Sequence, residues 1–217
     1  MDGDPDRPDE DLPLTPEETL RLIERQSAEA TRRLTGDPLL YYWPWGLAWF
    51  AGFGALFLHY GLSGEPYAPI SMAVALAVLF GAMAVAMTFT IWVSVRSGTH
   101  IRGGSQERGM MYGLCWSVGF IGVGLICSRF GRPDWLQPQE IGLLWASVSL
   151  LLVGVLFMAG AAVFREWPMF FIGVAVSVLN LIGTAAGAGW HALLVSVLGG
   201  GGFLATGVVL RRRGERG

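Results

Sequence analysis

Along the chain, polar positions are frequent up to about residue 40 and then almost vanish from six long stretches. These run from Trp43 to Tyr60, Pro69 to Val95, Met110 to Ser128, Ile141 to Phe164, Pro168 to Gly187 and His191 to Leu210. A helix needs about 20 apolar residues to cross a bilayer, and each stretch has roughly that length. None contains Asp, Glu, Lys or Arg. A charge at mid-membrane costs at least roughly 2.5 kcal/mol, so their absence is what lipid requires. The pattern predicts an all-α polytopic integral membrane protein with six transmembrane helices.

The region before the first stretch reads differently. Residues 1–14 are acidic and proline-punctuated, with too little apolar content to fold. Residues 15–36 then carry helix signals. Thr15 is a natural cap, Pro16 suits the first turn, and Glu17 and Glu18 complement the positive end of the helix dipole. Arg32 and Arg33 complement the other end before Gly36 and Asp37-Pro38 stop the helix. Leu20, Ile23, Ala30 and Leu34 recur at three- and four-residue spacing as a narrow apolar stripe. This predicts a cytosolic amphipathic helix whose stripe docks a partner. The organisation expected is thus a disordered tail over residues 1–14, an amphipathic helix over 15–36, a six-helix membrane domain over 41–210 and a basic tail over 211–217.

Composition agrees with lipid: 53% of the 217 residues are hydrophobic and 15% charged, against about 45–50% and about 25% in soluble domains. Eleven of the seventeen acidic residues lie in residues 1–40, so two dissimilar parts meet near residue 40. An acidic start of this kind is not an export signal, which needs positive charge and an apolar core. All fifteen basic residues are arginine, which excludes a Walker A phosphate loop and Schiff-base chemistry. Cys115 and Cys127 would be about 18 Å apart along one helix, too far for a disulfide.

With a cytoplasmic N-terminus, thirteen arginines fall on the inner side and only Arg129 and Arg132 on the outer side. That satisfies the positive-inside rule with both termini cytoplasmic. Aromatic residues agree: Tyr41, Tyr42, Trp43, Trp45, Trp92, Tyr112 and Trp167 fall near the inner interface, and Tyr60, Tyr67, Trp135, Trp145 and Trp190 near the outer one. Arginine-only basicity with a Gly- and Ala-rich composition points to a GC-rich bacterial genome, hence the bacterial plasma membrane. The inner arginines are accounted for by topology and anionic lipid, and no folded basic domain is present for nucleic acid.

Faint internal repetition accompanies the spans. Trp49-Phe-Ala-Gly52-Phe53 resembles Trp116-Ser-Val-Gly119-Phe120, and Trp-Pro opens both the first stretch (Trp43-Pro44) and the fifth (Trp167-Pro168). Three side-by-side helical hairpins would give that pattern, as would chance in a composition rich in Trp and Gly.

Chemistry within the spans is sparse. Asn180, the chain's one asparagine, lies near the middle of the fifth span with Ser177 and Thr184 on the same helical face. The simplest reading is interhelical hydrogen bonding, with solute contact as the alternative. His59 and His191 fall near the outer ends of the first and sixth spans, where a pair of imidazoles is the one candidate for metal or haem. No third histidine or carboxylate stands in register, so no metal or cofactor is expected. Gly109/Gly113, Gly183/Gly187 and the run Gly199–Gly202 allow close helix approach within the bundle or to another subunit.

The sequence therefore predicts a non-enzymatic membrane protein, an accessory, regulatory or permease-like subunit of a complex, held in the bilayer with a protein partner or as a homo-oligomer. Two alternatives remain. One is a small-solute transporter or channel acting as an oligomer; the other is an intramembrane haem or metal protein built on His59 and His191.

Overall fold

The computed structural model describes residues 15–22, 37–98 and 104–216, without the side chains of 97–98, 104–106 and 213–216. The chain divides into two units, residues 1–36 and residues 37–217. All regular elements among the described residues are helices, joined by short loops, with no strand among them.

In the first unit, α1 covers residues 16–22. Its start is a reciprocal cap. The backbone N–H and the hydroxyl of Thr15 both donate to Glu18 Oε2 at 2.9 Å, and the Glu18 N–H donates to Thr15 Oγ1 at 3.3 Å. Two of the helix's orphan donors are thereby used. The same bonds hold the Glu18 carboxyl below its ordinary range, the backbone N–H first and the hydroxyl second. The acidic tail over 1–14 and most of the expected helix over 15–36, Ile23, Ala30 and Leu34 included, lie outside the described residues.

The second unit holds α2 (Pro38–Tyr60), α3 (Met72–Gly98), α4 (Gly104–Phe130), α5 (Pro138–Phe164), α6 (Trp167–Ala186), α7 (Ala188–Leu194), a π-helical segment (Val195–Gly200) and α8 (Gly201–Arg216). Five stretches are long and apolar enough to cross a membrane: Met72–Arg96, Glu107–Phe130, Pro138–Phe164, Trp167–Ala186 and Ala188–Arg212, the last taking in α7, the π segment and α8. This is a multi-pass helical protein suited to a bilayer. The sixth expected span, α2, is 23 residues long but does not join the five. Pro44, Tyr41, Tyr42, Trp43, Trp45 and Trp49 dilute its hydropathy with a proline and polar-tipped rings. Several helices run past the apolar stretches that predict them, since backbone hydrogen bonding continues where the side chains turn polar: α4 starts at Gly104 and α5 at Pro138.

Start and stop residues have local causes. Asp37 accepts from the Leu39 N–H at 3.0 Å and Pro38 fills the first turn of α2, so the helix begins five residues before Trp43. Trp43-Pro44 consequently does not open a helix: Pro44 sits inside α2, whereas Pro168 occupies the first turn of α6. The two Trp-Pro pairs are not equivalent. A proline within a membrane helix is tolerated where neighbours and local adjustments satisfy the freed backbone groups. Between α6 and α7 one residue turns the chain, Gly187, at φ 100° and ψ 173°. That conformation is essentially reserved for glycine.

Within this unit α2 packs against α3 and against α7, the π segment and α8, while α6 joins α5 to α7 and α4 lies on α5. A buried core joins Trp49 and Phe53 of α2, Leu79 of α3, Leu150 of α5, Val195 of the π segment and Phe203 of α8. Trp49 meets Phe203 edge-on at 5.1 Å, and Phe157 of α5 reaches the same ring at 6.0 Å. At the other end of α8, Arg211 lies 3.6 Å from Asp37.

The first two hairpins share one contact. A Cβ on Gly52 would strike Leu79 of α3, and a Cβ on Gly119 would strike Leu152 of α5. In both, the glycine three residues after a tryptophan receives a leucine of the next helix. The Gly199–Gly202 run is used by halves: Gly199 lies against the Trp49 ring and Gly200 against the Gly46–Phe50 backbone, while Gly201 and Gly202 face open space, as do Gly109 and Gly113.

Candidate functional site

The most buried polar groups among the described residues meet where α5, α6 and α7 come together. Asn180 on α6 is 3% exposed and His191 on α7 is 2% exposed. The Asn180 Nδ2 donates to the Ser147 carbonyl of α5 at 2.9 Å, and its Oδ1 lies 2.8 Å from His191 Nε2. These bonds orient one another. A carbonyl only accepts, so the amide must present its NH2 to Ser147 and its oxygen to the ring. The ring must then donate from Nε2, and in a neutral imidazole this leaves the Nδ1 lone pair as the acceptor.

Local sequence makes this junction possible. Gly187 turns the chain between the two helices, and Gly183 sits against His191 so closely that a Cβ there would strike its Cα and ring. Phe53 of α2 covers the other side, its ring centroid 6.3 Å from the imidazole. His191 also borders a cavity of about 10 Å³. It is lined by Phe53, Leu56 and Tyr60 of α2, by Leu143 and Ala146 of α5 and by the start of α7.

The remaining candidate residues are placed elsewhere. Ser177 donates to the Gly173 carbonyl one turn back on its own helix, and Thr184 is exposed, so neither enters the Asn180 chain. His59 points Nδ1 at the Ile70 carbonyl, 2.7 Å away in the loop before α3, and its ring abuts Tyr60. His59 and His191 are thus tied to different partners. No group of three or more His, Cys, Asp or Glu able to hold a metal occurs among the described residues. Of the expected docking stripe, Leu20 is described and 59% exposed, and Leu22 beside it is also exposed.

Sequence reasoning misses three parts of the site. It puts His191 at the outer surface because the sixth apolar stretch starts there, whereas α7 begins three residues earlier and buries it. It does not find the Ser147 carbonyl, since any backbone carbonyl can accept. The π segment also escapes it. There Ser196 donates to the Phe50 carbonyl of α2 at 2.9 Å, and such segments gather at functional sites. A polar residue on each side of a glycine turn was the one signal in the sequence for the Asn180–His191 pair.

Comparison of the chain with protein-family models, with curated proteins and with solved structures found no match.

Proposed function

We propose that the protein is a non-enzymatic subunit of a bacterial plasma-membrane complex, with six spans, both termini cytoplasmic, and α1 docking a protein partner. The sixth span is α2. Its first residues meet the end of α8 through Asp37 and Arg211, and helices that start and finish on one side must cross an even number of times. The observation that carries the docking role is α1 itself: a reciprocally capped helix outside the membrane domain with Leu20 and Leu22 exposed. Within the spans, polar groups are spent on the bundle. Trp45 donates to Thr90, Ser196 to Phe50, Ser177 to Gly173 and Asn180 to Ser147.

The test is the size of the native assembly. Membranes solubilised in mild detergent should yield the intact chain in a species larger than the purified protein in the same detergent. The double substitution Leu20→Glu, Leu22→Glu should release it to the smaller size. Identical migration of the intact and substituted chains would overturn the docking role.

A further inference from the structure

The His191 ring is almost wholly buried, yet one of its nitrogens is uncommitted. Nε2 is taken by Asn180, and Nδ1 has no hydrogen-bond partner among the described residues. No buried side-chain nitrogen or oxygen among them is both sealed from solvent and unpaired, so Nδ1 must open onto space. The cavity that His191 lines is the space at hand. At about 10 Å³ it matches the single sphere that one water requires, and a buried water also needs two to four polar partners.

A second residue with a polar group lines the same cavity. The Tyr60 hydroxyl, at the end of α2, lies over Gly142 of α5, where a Cβ would collide with it. Tyr60, Gly142 and His191 line one cavity. One residue with a spare acceptor and one with a hydroxyl thus line a void of the right volume. An apolar void of this size would stay empty, whereas a lone pair left dry at its wall carries a desolvation cost that a water removes.

We propose that this cavity binds one water molecule, which donates to His191 Nδ1 and accepts from the Tyr60 hydroxyl. The water extends the polar chain from the Ser147 carbonyl through Asn180 and His191 to the end of α2, and so ties α2 to α5, α6 and α7. The site excludes larger ligands by volume and ions by the absence of any charged lining residue. Gly142 is what leaves room for the hydroxyl, and Ala146 and Ala188 leave room for the water.

The test uses the full chain in lipid bilayers with ¹⁵N-labelled histidine and solid-state NMR, the His191 signals being those lost in His191→Gln. The ring should show the Nε2–H tautomer, and magnetisation should pass from water to it. An Nδ1–H tautomer, or no transfer from water, would overturn the proposal on the unmodified chain alone. Ala146→Val fills the cavity and should abolish the transfer while leaving the tautomer unchanged. Transfer that persists undiminished in that variant would equally overturn it.

Discussion

The hairpins α2–α3 and α4–α5 begin with the same Trp-x-x-Gly pattern and use it alike, yet they end in different surroundings. Trp49 is 4% exposed beneath Phe203 and Gly199. Trp116 is only half-buried, against Phe120 and Phe157. The glycine contact is local and is set by spacing along one helix. Burial of the tryptophan is decided by a third element: the helix of α7, the π segment and α8 lies on α2 and leaves α4 uncovered. A repeated motif therefore fixes how two helices meet, but not whether their outer face is core or surface.

Tryptophan truncation should separate the two hairpins most strongly. In a bilayer the lost packing, not transfer from water, sets the cost, and Trp49→Ala leaves a large void where three helices converge. A loss of about 3 kcal/mol or more is expected. Trp116→Ala should cost less than half of that. Reversible unfolding in mixed micelles measures both, and equal losses would break the comparison.

The two glycines should differ next. A Cβ on Gly52 meets the Leu79 backbone Cα at 2.8 Å, whereas a Cβ on Gly119 meets only the ends of the Leu152 side chain, at 2.9 and 3.0 Å. A flexible side chain can rotate away; backbone cannot. Gly52→Ala should cost about 1–3 kcal/mol and Gly119→Ala under about 1 kcal/mol, as read by the same unfolding measurement.

If the helix from α7 to α8 is what distinguishes the hairpins, loosening its attachment should affect α2 and not α4. Asn180→Leu removes the bonds to Ser147 and His191, and membrane hydrogen bonds of this kind are worth about 0.6–1.7 kcal/mol. Hydrogen exchange should rise in α2 and α7 and stay unchanged in α4. A uniform rise would assign the pair no particular role in covering Trp49. The same variant bears on solute passage, since a path lined by Asn180 would show altered flux in liposomes.

The smallest effect lies outside both hairpins. The Glu18 carboxyl is held below its ordinary range by Thr15, so its contribution to α1 is present above the unfolded carboxylate value and is lost as pH falls through the lower folded one. Helix content of a peptide spanning residues 13–36 should drop on acidification across that window. Thr15→Ala should flatten the profile, and an unaltered profile would deny the reciprocal cap.

Much of this architecture is legible from one dimension of information. Uncharged apolar stretches of membrane length mark five of the helices because lipid leaves the backbone few other choices. The start of α1 is legible through Thr15, Pro16 and Glu18, whose roles are local. Legibility fails where distant backbone decides. Pro44 looks like a helix start until Asp37 is seen capping seven residues earlier. His191 looks interfacial until Gly187 turns α7 inward. Ser177 and Thr184 share a helical face with Asn180, but the partners of Asn180 stand on two other helices, and no spacing within α6 encodes them.

The π winding at Val195–Gly200 gives the chain slack at one place. Five-residue hydrogen-bond steps store more residues per turn than the flanking helix does, so losing one residue there can be absorbed by relaxation to α winding, with the faces above and below kept in phase. The same loss within α3, which has no such reserve, would swing every later side chain of that helix by about 100°. Length variation in descendants of this sequence is therefore best tolerated beside Ser196.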